Sequence, residues 1–85
     1  MRRHKKPIKN LGRYVFRIYR LQRFVFWSDF TIRFTDSNMY RMHNGNIVIN
    51  YEWHHLFDAR MWYTQYVFDE YGMLSASNVC VGEVK

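Results

Sequence analysis

Cysteine and proline are scarce in this 85-residue sequence, which has one of each. A single cysteine, Cys80, excludes an intrachain disulfide, so we expect a cytoplasmic or other reducing compartment. Long apolar runs are missing as well: no window approaches about 18 uncharged apolar residues, which predicts that no helix spans a membrane. Low-complexity runs and internal repeats are also absent, and this argues against disorder along the whole chain. The sequence therefore predicts one small soluble domain.

Acidic residues are absent from residues 1–23, which hold nine of the 13 Lys and Arg residues. This segment carries a net charge of +9, whereas the other 62 residues carry four basic and seven acidic side chains, a net charge of −3. Charge divided in this way predicts a basic arm or face on a nearly neutral body. Because Pro7 opposes a helix before it, we assign residues 1–8 to a flexible basic arm and residues 9–85 to the folded domain.

Catalytic signatures are missing too, since no nucleophile elbow, P-loop or dinucleotide-binding pattern occurs. Cys80 lies in an apolar, strand-like segment, which favours a buried, inert thiol. His54, His55 and Asp58 are spaced to share a helix face, but adjacent histidines do not easily chelate one metal and no second cluster supplies more ligands. We therefore predict solvent-exposed loop histidines, no metal, no other cofactor and no enzymatic activity.

One catalytic alternative stays open, a metal-independent ribonuclease. Such cleavage needs only a base, an acid and cationic residues around the phosphate. Side chains of these types occur together after the middle of the chain: His54, His55, Arg60 and Tyr63.

The segment from Lys9 to Val25 has the apolar spacing of an amphipathic helix. Its apolar residues converge on one face: Leu11, Tyr14, Val15, Ile18, Leu21 and Val25. Its basic residues fall on the opposite side together with two aromatic residues: Lys9, Arg13, Arg17, Arg20, Arg23, Phe16 and Phe24. Because Gly12 costs about 1 kcal/mol inside a helix, we expect the helix to start just after it.

From residue 29 the apolar period changes to two, which predicts strands. The segment 29–36 alternates, with Phe30, Ile32 and Phe34 on its inner face. A turn is expected at 36–38, where Asp, Ser and Asn follow one another.

The dipeptide Asn44-Gly45 is the strongest hairpin signal, because a two-residue type I′ turn needs positive φ at both central positions. A loop at these two residues pairs Met42 with Ile47. It places six apolar residues of the two strands on one face: Tyr40, Met42, Ile47, Ile49, Tyr51 and Trp53. Turn and apolar pattern thus agree on one register.

Residues 54–60 are interpreted as a connection. The next segment, 61–68, has high β-propensity, although a helix that ends near Gly72 also fits. We favour a strand there, a turn at 69–72 and a last strand within 73–84. The predicted fold is α+β, an N-terminal amphipathic basic helix packed on an antiparallel β-meander of four or five strands.

The basic arm and helix form the candidate binding surface. Clustered Lys and Arg attract phosphates and gain affinity from counterion release, and aromatic rings among them can stack on bases. The predicted nucleic-acid-binding residues are Arg2, Arg3, Lys5, Lys6, Lys9, Arg13, Phe16, Arg17, Arg20 and Arg23. An acidic protein surface and anionic lipid are less favoured partners for the same charges. We expect a small, non-enzymatic protein that associates with RNA or DNA as one component of a ribonucleoprotein assembly.

Aromatic residues make up 20% of the sequence, more than so small a body can bury completely. Four of them are predicted to lie in a protein interface: Trp62, Tyr63, Tyr66 and Tyr71. These residues, with sheet edges that can pair with a partner strand, support an alternative function. The protein would then be a small regulator or inhibitor, of the kind mobile elements encode, that binds another protein or forms a homo-oligomer.

Overall fold

A computed structural model of the chain describes residues 6–83, which form one helix followed by four strands. The elements are α1 (Leu11–Ser28), β1 (Ile32–Arg41), β2 (Ile47–His55), β3 (Arg60–Asp69) and β4 (Gly72–Glu83). The strands pair antiparallel in the order β1-β2-β3-β4, so the sheet is a meander. The predicted α+β fold is confirmed, with four strands in the described part of the chain.

Helix α1 begins earlier than expected, before Gly12. Asn10 is its N-cap, in the left-handed region at φ 71°, and its Oδ1 accepts a hydrogen bond from the Arg13 backbone N–H at 3.2 Å. This bond satisfies one of the free N–H groups of the first turn. The helix ends at Ser28, where Asp29 turns to an extended conformation.

The helix packs on the sheet through a face that is rotated from the predicted one. Tyr19 is buried, whereas Leu21 and Val25, which we expected in the core, are exposed. The reason is aromatic packing on Tyr51 of β2. The Tyr19 ring stacks on the Tyr51 ring at 5.8 Å, and the Phe26 ring meets it edge-on at 5.6 Å.

The core lies between α1 and the first three strands. Its buried hydrophobic residues are Val15, Tyr19, Ile47, Ile49, Tyr51, Trp53 and Phe68. Two polar groups of this core are satisfied internally: the Tyr51 hydroxyl donates to the Tyr19 carbonyl at 3.0 Å, and Trp53 Nε1 donates to Thr64 Oγ1 at 2.8 Å. Burial raises the pKa of Tyr51 above its ordinary value, so its hydroxyl stays a neutral donor at physiological pH.

Residues 42–46 separate β1 from β2, and a backbone bond between the outer two closes a loop of three residues, 43–45, rather than the two expected. The Met42 N–H donates to the Asn46 carbonyl at 2.8 Å, and the Gly45 N–H donates to the Met42 carbonyl at 3.0 Å. Gly45 is the one loop residue with positive φ, 93°. A turn followed by a left-handed glycine is the usual way to build a three-residue hairpin loop.

This loop shifts the hairpin register by one residue, so the predicted pairing was wrong. Ile49 lies opposite Met39, and Tyr40 lies opposite Val48. Successive residues of a strand point to opposite faces. Met39 therefore packs against the core, while Tyr40 lies on the sheet face away from α1.

The turn predicted at 36–38 does not form, and β1 continues through it. A bulge at Thr35 adds one residue to the strand between its pairs with β2. Polar side chains that suggested a turn are instead bonded within the fold. The Ser37 hydroxyl accepts a hydrogen bond from the Tyr19 hydroxyl at 3.1 Å, and the Asn38 amide oxygen accepts one from β2.

Two residues that we expected to be buried, Phe30 and Cys80, are exposed. Phe30 precedes β1 and is exposed, because Asp29 Oδ1 accepts the Thr31 N–H at 3.0 Å and holds a tight turn there. Cys80 is exposed rather than buried, since β4 is an edge strand that α1 does not cover.

We expect Gly45→Val to destabilise the protein by more than about 1 kcal/mol, because a β-branched residue strongly resists the positive φ of this position. Gly45→Asn should melt close to the parent, since Asn tolerates the left-handed region. Urea or thermal melts check both. Equal melting of Gly45→Val and Gly45→Asn would mean that this loop does not constrain the backbone.

Candidate nucleic-acid interface

The face of α1 that points away from the sheet carries a column of arginines: Arg13, Arg17 and Arg20, here called the arginine face. All three side chains are exposed. They recur at i, i+4 and i+7, so they rise along one side of the helix in steps of about 6 and 4.5 Å. The helix thus presents three guanidinium groups in a line.

Among residues 6–83, no acidic side chain forms an ion pair with the arginine face. The sequence of α1 contains no Asp or Glu. The positive end of the helix dipole, at the first turn, adds to the charge of Arg13. Among residues 6–83, the ion pair present is Arg60 with Asp58 at 2.8 Å, beyond β2. Hydrogen bonds from Arg60 lower the pKa of Asp58 to about 2.

A groove of about 310 Å³ adjoins the arginine face toward the C-terminal end of α1. We call it the aromatic groove, and it is lined by Arg20, Arg23, Phe24, Trp27 and Phe34. The Phe24 and Trp27 rings lie 6.2 Å apart at 33°. Trp27 is 75% exposed although it is the largest side chain there. Flat apolar rings beside guanidinium groups can take up a base and its phosphate together.

Two arginines are oriented by aromatic rings beneath them. The Arg20 guanidinium lies 5.9 Å from the Phe16 ring centre, and the Arg23 guanidinium lies 5.6 Å from that of Tyr19. Such stacking holds the plane of the group and leaves its N–H edge available for bidentate contact with phosphate.

The structure unites some predicted binding residues and leaves others unplaced. Arg2, Arg3 and Lys5 lie outside the described residues. Lys6 and Lys9 are exposed just before α1, where the Ile8 N–H donates to the Glu70 carbonyl at 2.7 Å and ties this segment to the β3–β4 turn. Those brought together on α1 are Arg13, Phe16, Arg17, Arg20 and Arg23, the last two beside the aromatic groove.

Trp27 is the residue of this surface that the sequence analysis missed. The predicted helix ended at Val25, whereas α1 continues to Ser28. A signal was present in the spacing, since Trp27 follows Phe24 by three residues and Arg20 by seven. Both spacings keep side chains on the same side of a helix.

The four predicted protein-interface residues do not form one surface. Trp62 and Tyr66 are half-buried and pack against the core from β3. Tyr63 alternates with them and lies on the opposite face of the sheet. Tyr71 is exposed in the β3–β4 turn.

The histidine pair belongs to a strand rather than to a loop. His54 and His55 are half-buried, consecutive residues of β2, so their rings point to opposite faces of the sheet. His54 Nδ1 lies 2.9 Å from the His55 carbonyl oxygen, and the His55 ring packs edge-on against Trp53 at 5.3 Å. Within the described part of the chain, no group of three or more His, Cys, Asp or Glu residues is arranged to hold a metal ion. Of the side chains named for a ribonuclease, His55 lies on the sheet face of Trp53, whereas His54 and Tyr63 share the opposite face.

No helix in residues 6–83 is long and apolar enough to cross a membrane. No protein-family model, no curated protein and no solved structure matches the chain.

Proposed function

We propose that this protein is a non-enzymatic binding protein for single-stranded nucleic acid, acting as one component of a ribonucleoprotein assembly. One observation carries the proposal: Arg13, Arg17 and Arg20 form an exposed line without acidic partners among the described residues, and this line runs into the aromatic groove. Phosphates would contact the arginine face, and bases would stack on Phe24 and Trp27.

Electrostatics favour a polyanion over a neutral partner. Each phosphate that an Arg neutralises releases condensed counterions, which adds affinity without any base-specific contact. A charge of +9 in residues 1–23 raises the local concentration of such a ligand and its association rate.

The exposed rings favour a single strand over a duplex. In a duplex the faces of the bases are stacked on one another, so only a single strand offers them to Phe24 and Trp27. Stacking is tolerant of sequence because every base has a π-face. We therefore expect weak sequence preference.

A salt series tests the proposal directly. A labelled mixed-sequence single strand, as RNA and as DNA, and the matching duplex are titrated with the protein from about 50 to about 200 mM salt. The logarithm of the single-strand binding constant should fall linearly with the logarithm of the salt concentration. Each of the three phosphate contacts should add about −0.7 to the slope of this line, which makes about −2 in total. Absence of binding at low salt, or binding that salt does not weaken, would contradict the proposal.

Trp27→Ala should lower the affinity for a single strand by about 5- to 150-fold, because stacking on one aromatic ring is worth about 1–3 kcal/mol. The slope with salt should stay as in the parent, since Trp27 carries no charge. Trp27→Phe keeps a ring in the groove and should bind nearly as the parent does. If Trp27→Ala and Trp27→Phe bind equally well, the aromatic groove does not contact bases.

A further inference from the structure

Strand β4 is an edge strand that no helix or further strand of residues 6–83 covers. Every residue from Met73 to Glu83 is exposed, on both faces of the sheet. The eleven residues from Gly72 to Gly82 include no charged residue and no proline. Two bulges opposite β3 lie near its ends, and the segment 75–80 between them pairs regularly. Within residues 6–83 the outer backbone groups of this segment form no hydrogen bonds, so the segment can accept another strand.

The other edge of the sheet is built differently. Strand β1 has the bulge at Thr35 and three exposed charged side chains, Arg33, Asp36 and Arg41. Charges and bulges on an edge strand are the usual protection against pairing with another chain. Only one of the two edges is thus suited to accept a partner.

The sequence of β4 is close to symmetric about Ser77 in its chemistry. Apolar residues stand at both ends, Met73 and Leu74 on one side and Val79 to Val81 on the other, and small or amide residues fill 75–78. An antiparallel pair of two β4 strands centred on Ser77 therefore places apolar ends on apolar ends. An interface about a two-fold axis requires such a self-complementary surface.

Apolar residues of α1 lie on the same side of the molecule as this edge. Tyr14, Leu21 and Val25 are exposed, and the Tyr14 ring meets Phe68 of β3 edge-on at 6.4 Å, which places this side of the helix toward β3 and β4. Between helix and edge strand lies a groove of about 360 Å³ that includes Tyr66, Ala76 and Asn78 in its lining. A copy paired at Ser77 would bring its own apolar helix side toward this groove.

We propose that a second copy of this chain pairs antiparallel with β4 about a two-fold axis at Ser77, giving one eight-stranded sheet. A standard interface buries about 800 Å² per partner, about an eighth of the 6633 Å² surface of the described chain. Both arginine faces would stand on the same side of the joined sheet. The pairing does not depend on the proposed nucleic-acid function, because Ser77 is not part of that surface.

Sedimentation equilibrium of nucleic-acid-free protein at high salt tests the state of association. The parent should be a dimer, and Ser77→Lys should be a folded monomer, because the axis brings the two added charges directly opposite each other. Ser28→Lys, with the same charge change at the exposed end of α1, should stay dimeric. A monomeric parent, or a Ser77→Lys protein that dimerises like the parent, would overturn the proposal.

Disulfide cross-linking tests the register. In a Cys80→Ser background, Ser77→Cys should form a cross-linked dimer on mild oxidation, because opposed Cα atoms of an antiparallel pair lie about 4.5–5.5 Å apart. The native Cys80 should not cross-link, since its copies would be about 20 Å apart at about 3.3 Å per residue. Cross-linking through Cys80 but not through position 77 would exclude this pairing.

Discussion

The triple variant Arg13→Glu, Arg17→Glu, Arg20→Glu should lose at least about 100-fold of the parent affinity for a single-stranded nucleic acid. Hydrogen bonds to charged groups contribute about 1.5–3 kcal/mol each, and about 1.4 kcal/mol is a factor of ten. Three new carboxylates also repel the phosphates that remain close. The salt dependence should weaken by about 2 in slope as the three contacts are lost. Fluorescence anisotropy across a salt series measures both quantities.

The fold should tolerate these changes. The three side chains are exposed and none bonds to another element of the described chain. Glu at position 13 also faces the positive end of the helix dipole, where a negative charge is favourable. We therefore expect melting within about 0.5 kcal/mol of the parent.

A matched pair of single variants separates a binding site from net charge. Arg17→Glu and Arg33→Glu change the net charge equally, but Arg33 lies on β1, where its side chain donates to the carbonyls of Phe30 and Ile32. Arg17→Glu should lower affinity by about tenfold and Arg33→Glu much less. Equal losses would mean that the ligand senses only total charge, and the arginine face would not be its site.

Part of this fold could be predicted from the apolar period, which is 3.6 in α1 and 2 in β1 and β2. Strand β3 was predicted from its β-propensity, with a helix as the alternative, and β4 from the turn that ends at Gly72. The arginine face followed from the same spacing. The C-terminal end of α1 could not be predicted, because no glycine or proline stands near Ser28. Trp27 was missed for that reason.

Register and helix rotation depend on contacts that periodicity does not contain. The sequence Asn44-Gly45 suits both a two-residue and a three-residue loop, and the two choices differ by one residue in pairing. On α1, two overlapping apolar stripes were available, and the ring of Tyr51 selects the one with Tyr19 and Phe26. Which strand remains an uncovered edge is likewise a property of the assembled sheet.

Ile49→Asp should leave the protein unfolded at room temperature. Ile49 is fully buried in β2, between Met39 of β1 and Tyr66 of β3. The change removes about 1.5–3 kcal/mol of apolar burial and adds the cost of a buried carboxylate without a partner, several kcal/mol more. A chain of this length has a total stability of about 4–13 kcal/mol. Circular dichroism and a thermal melt measure the loss.

Two controls make this result specific to the core and to the observed register. Phe57→Asp adds the same charge at a position that is 87% exposed and should melt within about 0.5 kcal/mol of the parent. On β1, Met39→Asp should destabilise strongly, whereas Tyr40→Asp should be tolerated, because only Met39 lies against the core. The two-residue loop predicts the reverse order for these neighbours. If Tyr40→Asp unfolds the protein while Met39→Asp melts like the parent, the residues of β1 lie on the sheet faces opposite to those described here.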